Sequence, residues 1–194
     1  MFDMHCVIFA GGKSSRMGED KSLLPFGGFS TLAEFQYTRL SKLFKYVSIS
    51  TKNADKFDFQ ADFILDPEGI DYAPTVGFVT AFKTLKNERL MILSVDTPFI
   101  DETIFQALLD ADNENLDAVI AKTKGGSHPL CGLYHRSLAK EFERMLDEND
   151  HRLGKLLASS STAYVNFEEE ELFANLNHPH EYQEALSRFC VPNR

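Results

Sequence analysis

Short apolar runs alternate along the chain with stretches whose apolar residues recur at helical spacing, the pattern of an α/β protein. Cys6–Ala10 (CVIFA) is nearly continuous in apolar side chains, as expected of a strand buried on both faces. It stops at Gly11-Gly12. Thr31 and Glu34 have the form of a capping box, which opens a helix expected to run to about Phe44. Tyr46–Ser50 (YVSIS) and Asp62–Leu65 (DFIL) read as the second and third strands, the latter ending at Asp66-Pro67. Phe78, Phe82 and Leu85 stand at i, i+4, i+7 and mark a helix face. Leu90–Val95 (LMILSV) is a fourth strand, apolar except for Ser94, that runs into Asp96-Thr97-Pro98. A helix capped by Asp101 follows, with Ile104, Phe105, Leu108 and Leu109 inward. Asp117–Ala121 and His128–Tyr134 are the fifth and sixth strands, with Pro129 near the start of the sixth, where an edge tolerates a missing N–H. Leu138, Phe142, Met145 and Leu146 form another helical stripe. Thr162–Phe167 is a late strand and Pro179–Phe189 a closing helix.

In an open α/β sheet a ligand sits beyond the carboxyl ends of the strands. The stretch after the first strand, Asp66 and Asp96 all follow proposed strand ends, so a parallel sheet brings these three sequence-distant sites to one rim. The first stretch holds Gly11, Gly12, Lys13, Ser14, Ser15, Arg16, Gly18 and Lys21. Glycines let a backbone approach a ligand, backbone N–H groups in such turns form anion-binding concavities, and Lys and Arg clamp phosphates. This reads as a polyphosphate-binding loop; an ordinary glycine turn with solvated charges is the alternative. Neither the Walker spacing nor G-x-G-x-x-G is present. An unpaired Asp96 at the end of a buried strand is costly to desolvate. Mg²⁺ bridging it to phosphates would offset that cost, as would a turn cap or a basic partner.

Composition narrows the partners. A net charge of −9 argues against general nucleic-acid or acidic-membrane binding, so an anionic substrate needs a local basic site, which the first loop supplies. Cys6, Cys131 and Cys190 are far apart and odd in number, with neither a disulfide framework nor zinc spacing, which fits a reducing cytoplasm. No apolar run approaches the ~18 residues of a membrane span, and the amino-terminal stretch lacks a basic n-region, so neither a membrane anchor nor a signal peptide is expected.

The pattern G-G-K-S-S-R-M-G-x-D-K over Gly11–Lys21 resembles the start of the nucleotidyltransferases, most closely the molybdenum cofactor guanylyltransferases. Further stretches resemble the same family in the same order. Ser94-Val95-Asp96-Thr97-Pro98-Phe99 resembles C-D-T-P-[FY], with Ser94 and Val95 replacing the residues before the aspartate. Asp66, Pro74 and Gly77 match D…G-P-L-A-G, whereas Ala73 and Thr75 depart from it. Where the family has an asparagine after the second strand, Ser50 aligns by position and Asn53 lies close. His128-Pro129…Leu133-Tyr134 resembles the family's H-P…L-[YV]; read alone, His128 is a structural or surface histidine. Phe173–Pro179 resembles F-x-N-[IVL]-N-T-P, with Asn175 and Asn177 on one side of an extended segment and His178 in place of threonine. Read alone, that segment is asparagine-rich turn chemistry before a helix. Asp150-His151-Arg152-Leu153 sits where the family has a basic pair, Arg152 being a holder of the second substrate's phosphate or a solvated charge at a helix start.

The resemblance covers Cys6 to about Leu186 and implies a three-layer, Rossmann-like nucleotidyltransferase fold with a mostly parallel sheet, a single domain over residues 1–194. It implies transfer of GMP from GTP to molybdenum cofactor (Mo-molybdopterin), giving molybdopterin guanine dinucleotide and pyrophosphate. Lys21 would contact the α-phosphate, Arg16 the outer phosphates, and Asp96 would bind Mg²⁺. Phe9, Ala10, Gly11 and Gly12 would face the base, with Asp66, Pro74, Gly77, Asn175 and Asn177 completing the binding surface. Transient contact with molybdoenzymes or their chaperones belongs to the same expectation. A related transferase using CTP or a sugar phosphate, and a non-catalytic nucleotide- or cofactor-binding module, are the rival readings. Arg16, Lys21 and Asp96 together speak against the module.

Overall fold

A computed structural model describes residues 1–11, 18–67, 69, 70 and 73–189. Gly12, Arg16 and Tyr72 lie outside the described residues, as do Lys13, Ser14, Ser15 and Cys190. The elements in chain order are β1 (Phe2–Phe9), α1 (Leu32–Leu40), β2 (Phe44–Thr51), β3 (Asp62–Leu65), α2 (Pro74–Thr84), β4 (Arg89–Ser94) and α3 (Glu102–Asp110). β5 (Ala118–Thr123), β6 (Gly126–His135), α4 (Ala139–Asp147), α5 (Leu153–Ser159), β7 (Thr162–Asn166) and α6 (Pro179–Phe189) follow.

The strands form a sheet in the order β3-β2-β1-β4-β6-β5-β7. All neighbours pair parallel except β6, which runs antiparallel to both β4 and β5. Alternate residues of the central strands point to opposite faces. Cys6 and Ile8 of β1, with Met91 and Leu93 of β4, join a core built with α1, α3 and α6. Val7 and Phe9, with Leu90 and Ile92, join a second core built with α2, α4 and α5. Two apolar layers on one sheet explain why the β1 and β4 sequences are continuous rather than alternating.

α1 stops at Leu40, short of the expected Phe44. Lys42 and Leu43 donate to Arg39 and Leu40 in tight turns, and Phe44 pairs with Phe2 as the first residue of β2. The capping box is present in altered form: Thr31 accepts from the Glu34 N–H (3.0 Å), while the Glu34 carboxylate accepts from Ser30 (3.2 Å) rather than from Thr31. Asp101 caps α3 through the N–H groups of Thr103 and Ile104.

The expectation that Pro129 lies on a sheet edge is corrected, because β6 is interior. Proline is accommodated there by an irregularity. The β5–β6 register jumps from Ile120↔Gly132 to Ala121↔His128, and the β4 ladder ends at Leu93↔Cys131. Pro129 therefore falls inside a bulge and beyond the last β4 pair, where no ladder N–H is required. α5 begins at the helix start offered for Arg152, its cap residue, and buries Leu153, Leu156 and Leu157 at i, i+3, i+4, a stripe not read from the sequence. Cys6 and Cys131 are buried free thiols, with burial pushing the Cys131 thiol up to about 12. Among the described residues no helix is long and apolar enough to cross a membrane.

Candidate active site

Because β1, β2, β3 and β4 run parallel, Gly11, Lys52, Asp66 and Asp96 emerge at one rim. The antiparallel β6 starts where its parallel neighbours end, so His128 and Leu130 reach the same rim from the opposite direction. Two cavities lie side by side there and share Ser94 and Leu130 as lining residues.

Phe9, Ser50, Asp66, Pro74 and Gly77 line the first cavity. The Ser50 hydroxyl lies 3.2 and 3.4 Å from the two Asp66 carboxylate oxygens. Burial pushes the Asp66 carboxyl above the usual carboxylate range, against the pull of the Thr80 and Ser50 hydroxyls and of the Lys52 charge. Gly77 allows α2 to approach the sheet: a Cβ there would stand 3.0 Å from the Phe9 ring and 3.2 Å from the Ser50 hydroxyl. Ser50 thus faces the cavity, whereas the exposed Asn53 uses its carboxamide oxygen to accept from Asp55 N–H (2.8 Å). The Phe9 carbonyl accepts from Val95 and the Ala10 N–H donates to Ser50, so these two backbone atoms extend the sheet. Phe9 meets the cavity with its ring, which packs edge-on against Phe78.

The second cavity has a volume of about 290 Å³ and is lined by Asp96, His128, Phe173, Asn175 and Asn177, among others. Against two of these side chains, the Lys21 ammonium lies 2.9 Å from Asp96 Oδ2 and 2.6 Å from Asn177 Oδ1. The lysine and aspartate side chains are 14% and 16% exposed, so the pair is largely withdrawn from water. Asp96 Oδ1 accepts from the Ser94 hydroxyl (2.6 Å). Of the outcomes open for Asp96 from sequence, the structure displays the basic partner, and that partner is itself a candidate site residue. His128 stacks on Phe173 with ring centroids 4.6 Å apart, and its Nε2 lies 3.1 Å from the Thr123 hydroxyl. Burial lowers the His128 pKa against the pull of Glu170, which favours the neutral imidazole.

Each member of this cluster is held by its own element. Lys21 begins a short 3-10 turn, Lys21–Leu23, rather than sitting in an irregular loop. Asp20 caps that turn through Ser22 N–H (3.0 Å) and Ser22 Oγ (2.7 Å), and Lys56 donates to its other oxygen (2.7 Å). The buried Gln36 donates to the Val95 carbonyl (3.0 Å) just before Asp96, and Arg39 donates to Gln36 (2.6 Å). Leu176 N–H donates to the Asp96 carbonyl (3.0 Å), docking the carboxy-terminal segment on the end of β4. Glu181, in the first turn of α6, accepts from the N–H groups of Asn177 (2.6 Å) and His178 (2.8 Å). That arrangement fixes the backbone from which the Asn177 side chain reaches Lys21.

The structure therefore gathers Lys21, Asp96, Asn175 and Asn177 around one cavity and Phe9, Gly11, Asp66, Pro74 and Gly77 around its neighbour. Arg152 is not gathered in: it is exposed and its guanidinium grips Asp150 (2.7 and 2.6 Å). Ser94, Asp20, Lys56, Gln36 and Glu181 were missed as site residues. Asp-x-Ser before the 3-10 turn and Glu181 three residues after His178 carried a capping signal. Lys56 and Gln36 carried none, since only the tertiary fold brings them in.

The profile of the MobA-like NTP transferase domain matches residues 6–164. A molybdenum cofactor guanylyltransferase of Campylobacter jejuni (strain RM1221) is 39% identical over 187 residues, 96% of this chain and 97% of that protein. One from Helicobacter pylori (strain G27) is 36% identical over 186 residues, 93% of this chain and 90% of that protein. Among solved structures, molybdopterin-guanine dinucleotide biosynthesis protein A from Archaeoglobus fulgidus superposes with a TM-score of 0.81 at 21% identity, covering 95% of this chain and 98% of that one.

Proposed function

This chain belongs to the MobA-like NTP transferase family, and from that premise we propose that it transfers GMP from GTP to a molybdopterin-type acceptor. One observation supports this reading above the others: Lys21 is held between Asp96 and Asn177, three groups from distant segments, and the latter two line a cavity that adjoins a second one. A donor nucleotide and an acceptor can occupy the two adjoining cavities, which meet at Ser94 and Leu130.

In the reaction a phosphate oxygen of the acceptor attacks the α-phosphorus of GTP. A new P–O bond forms, the α–β P–O bond breaks, and pyrophosphate leaves. Nucleophile and leaving group are both anionic, so the protein's task is positioning and charge neutralisation. Lys21 sets its ammonium against the α-phosphate, with Asp96 and Asn177 fixing its direction in advance. Arg16 and the glycine loop take the outer phosphates. Phe9, Ser50, Asp66 and Gly77 wall the nucleotide cavity.

The donor set suits a hard dication held jointly with phosphate. Asp96 offers a single carboxylate, and among the described residues no group of three or more His, Cys, Asp or Glu side chains forms a cage. Asp96 would hold Mg²⁺, which neutralises charge on the phosphates when bound.

The experiment is cofactor-dependent pyrophosphate release with each of the four nucleoside triphosphates across a Mg²⁺ titration. GTP is expected to turn over well above CTP and ATP. Asp96→Asn, which keeps the shape and removes the charge, is expected to lower turnover more than GTP binding, with Tm near wild type. Equal or better turnover with CTP overturns the base choice, and an Asp96→Asn protein with unchanged turnover and Mg²⁺ requirement overturns the metal ligand.

A further inference from the structure

The nucleotide cavity is lined by Ala73, Pro74, Val76 and Gly77 but not by Thr75. Thr75 is fully buried and turns the other way, its hydroxyl 2.5 Å from Nδ1 of His151 in the turn between α4 and α5. The other ring nitrogen of His151 lies 2.8 Å from the Asn149 side-chain oxygen. With that oxygen accepting from Nε2–H, Nδ1 is the acceptor and the Thr75 hydroxyl the donor. The imidazole is therefore gripped at both ends.

Two further observations give this contact a purpose. α2 begins without a side-chain cap: Ala73 stands at the cap position, and Pro74 at the first turn offers no N–H. The start of the helix that walls the nucleotide cavity consequently lacks the usual local anchor. The turn that supplies His151 is firmly built instead. Asn149 N–H donates to Leu146 (3.1 Å), Asp150 N–H donates to Met145 (2.8 Å), and Asn149 takes a left-handed backbone (φ 53°) that asparagine tolerates. An uncapped helix start is thus held from behind by a firmly built turn 76 residues away.

We propose that His151, acting through Thr75, is a positioning residue for the donor nucleotide. The pair straps the first turn of α2 to the α4–α5 turn, and so sets the distance at which Ala73–Gly77 closes on the nucleotide. The proposal rests on the reading of the first cavity as the donor site.

The test uses Thr75→Val, which keeps the shape and removes the hydroxyl, His151→Ala, the double variant, and His151→Gln. KM for GTP, KM for the acceptor, kcat and Tm are measured for each. A net hydrogen bond of about 0.5–1.5 kcal/mol corresponds to a change of roughly two- to tenfold. Each single variant is expected to raise KM for GTP by about that factor, with kcat and the acceptor KM within about twofold of wild type. The double variant should be no worse than the worse single, because both remove the same contact. His151→Gln, which retains an acceptor, should recover much of the loss. A fall in Tm with KM for GTP unmoved, or additive effects in the double variant, overturns the strap. A wild-type protein that takes up none of the four nucleoside triphosphates overturns the donor-site reading and the strap with it, whereas wild-type GTP turnover with unaltered variants overturns the strap alone.

Discussion

Lys21 makes the most exacting contacts of any side chain at the site, because its ammonium answers both to a carboxylate and to a carboxamide. On the proposed reading, removing it takes away a preorganised charge where charge develops in the transition state. Lys21→Ala is expected to lower kcat/KM by roughly 10²–10³ with the fold intact, measured by steady-state pyrophosphate release. A loss of only a few-fold would reduce Lys21 to a partner that neutralises Asp96. Asp66 presents the opposite balance. Its carboxyl is raised by burial, so the folded state favours the protonated form. That contribution to stability is fully present below the ordinary carboxylate value and is lost as pH rises through the raised one. Asp66→Asn removes the buried charge while leaving an oxygen for Ser50. It is expected to raise Tm at pH 7, the gain vanishing on acidification below the usual carboxylate range, while KM for GTP rises. A stability gain that is independent of pH would remove the link to ionisation.

The antiparallel β6 carries a second proline-like exception, at Gly132. A Cβ there would stand 2.6 Å from Ile120 Cδ1, the end of a side chain that can turn away, and 2.7 Å from the Val119 carbonyl, backbone that can yield only if β5 shifts. Gly132→Ala is expected to cost about 1–3 kcal/mol in denaturant unfolding, the range of overpacked cores, although alanine suits ordinary interior positions well. A neutral result would mean that β5 shifts freely at its register jump. Elements of this sheet were legible from sequence wherever one signal dominated. β1 and β4 announced themselves as unbroken apolar runs, β3 and α6 came out with the expected bounds, and the Asp101 cap located α3. The interior place of β6 was not legible, because a proline masks pairing that a bulge makes possible. Of α5 only the start at Arg152 was legible, because its seven residues hold too few repeats of the apolar stripe to define a helix face.

Across the whole molecule, the convergence of the strand ends follows from a parallel sheet alone, which is enough to put Asp66 and Asp96 on one rim. The pairing of Lys21 with Asn177 did not follow, since nothing local specifies a partner 156 residues away. Nor did the support beneath them, where Gln36 and Lys56 arrive from elements that have no part in the motif patterns. The closing segment is the clearest case of global dependence. Leu176 docks on Asp96, Glu181 orders Asn177, and the Tyr182 hydroxyl donates to the Pro25 carbonyl beside the Lys21 turn. Glu181→Ala is expected to lower stability by about 1 kcal/mol, the scale of a lost helix cap, and to reduce kcat more than KM for GTP. An unchanged kcat in the presence of the lowered Tm would detach Asn177 from turnover.

The distance along the chain between the partners of Lys21 has a consequence in time. Asp96 follows Lys21 by 75 residues, but Asn177 follows it by 156. At a synthesis rate of about 5–20 residues per second, the growing chain carries the first pair for roughly 4–16 s before the third member exists. Until then the lysine can be neutralised but not aimed. On the proposed reading, turnover is thereby tied to synthesis of the Asn177 segment, and a nascent chain that lacks it holds the lysine without its aim.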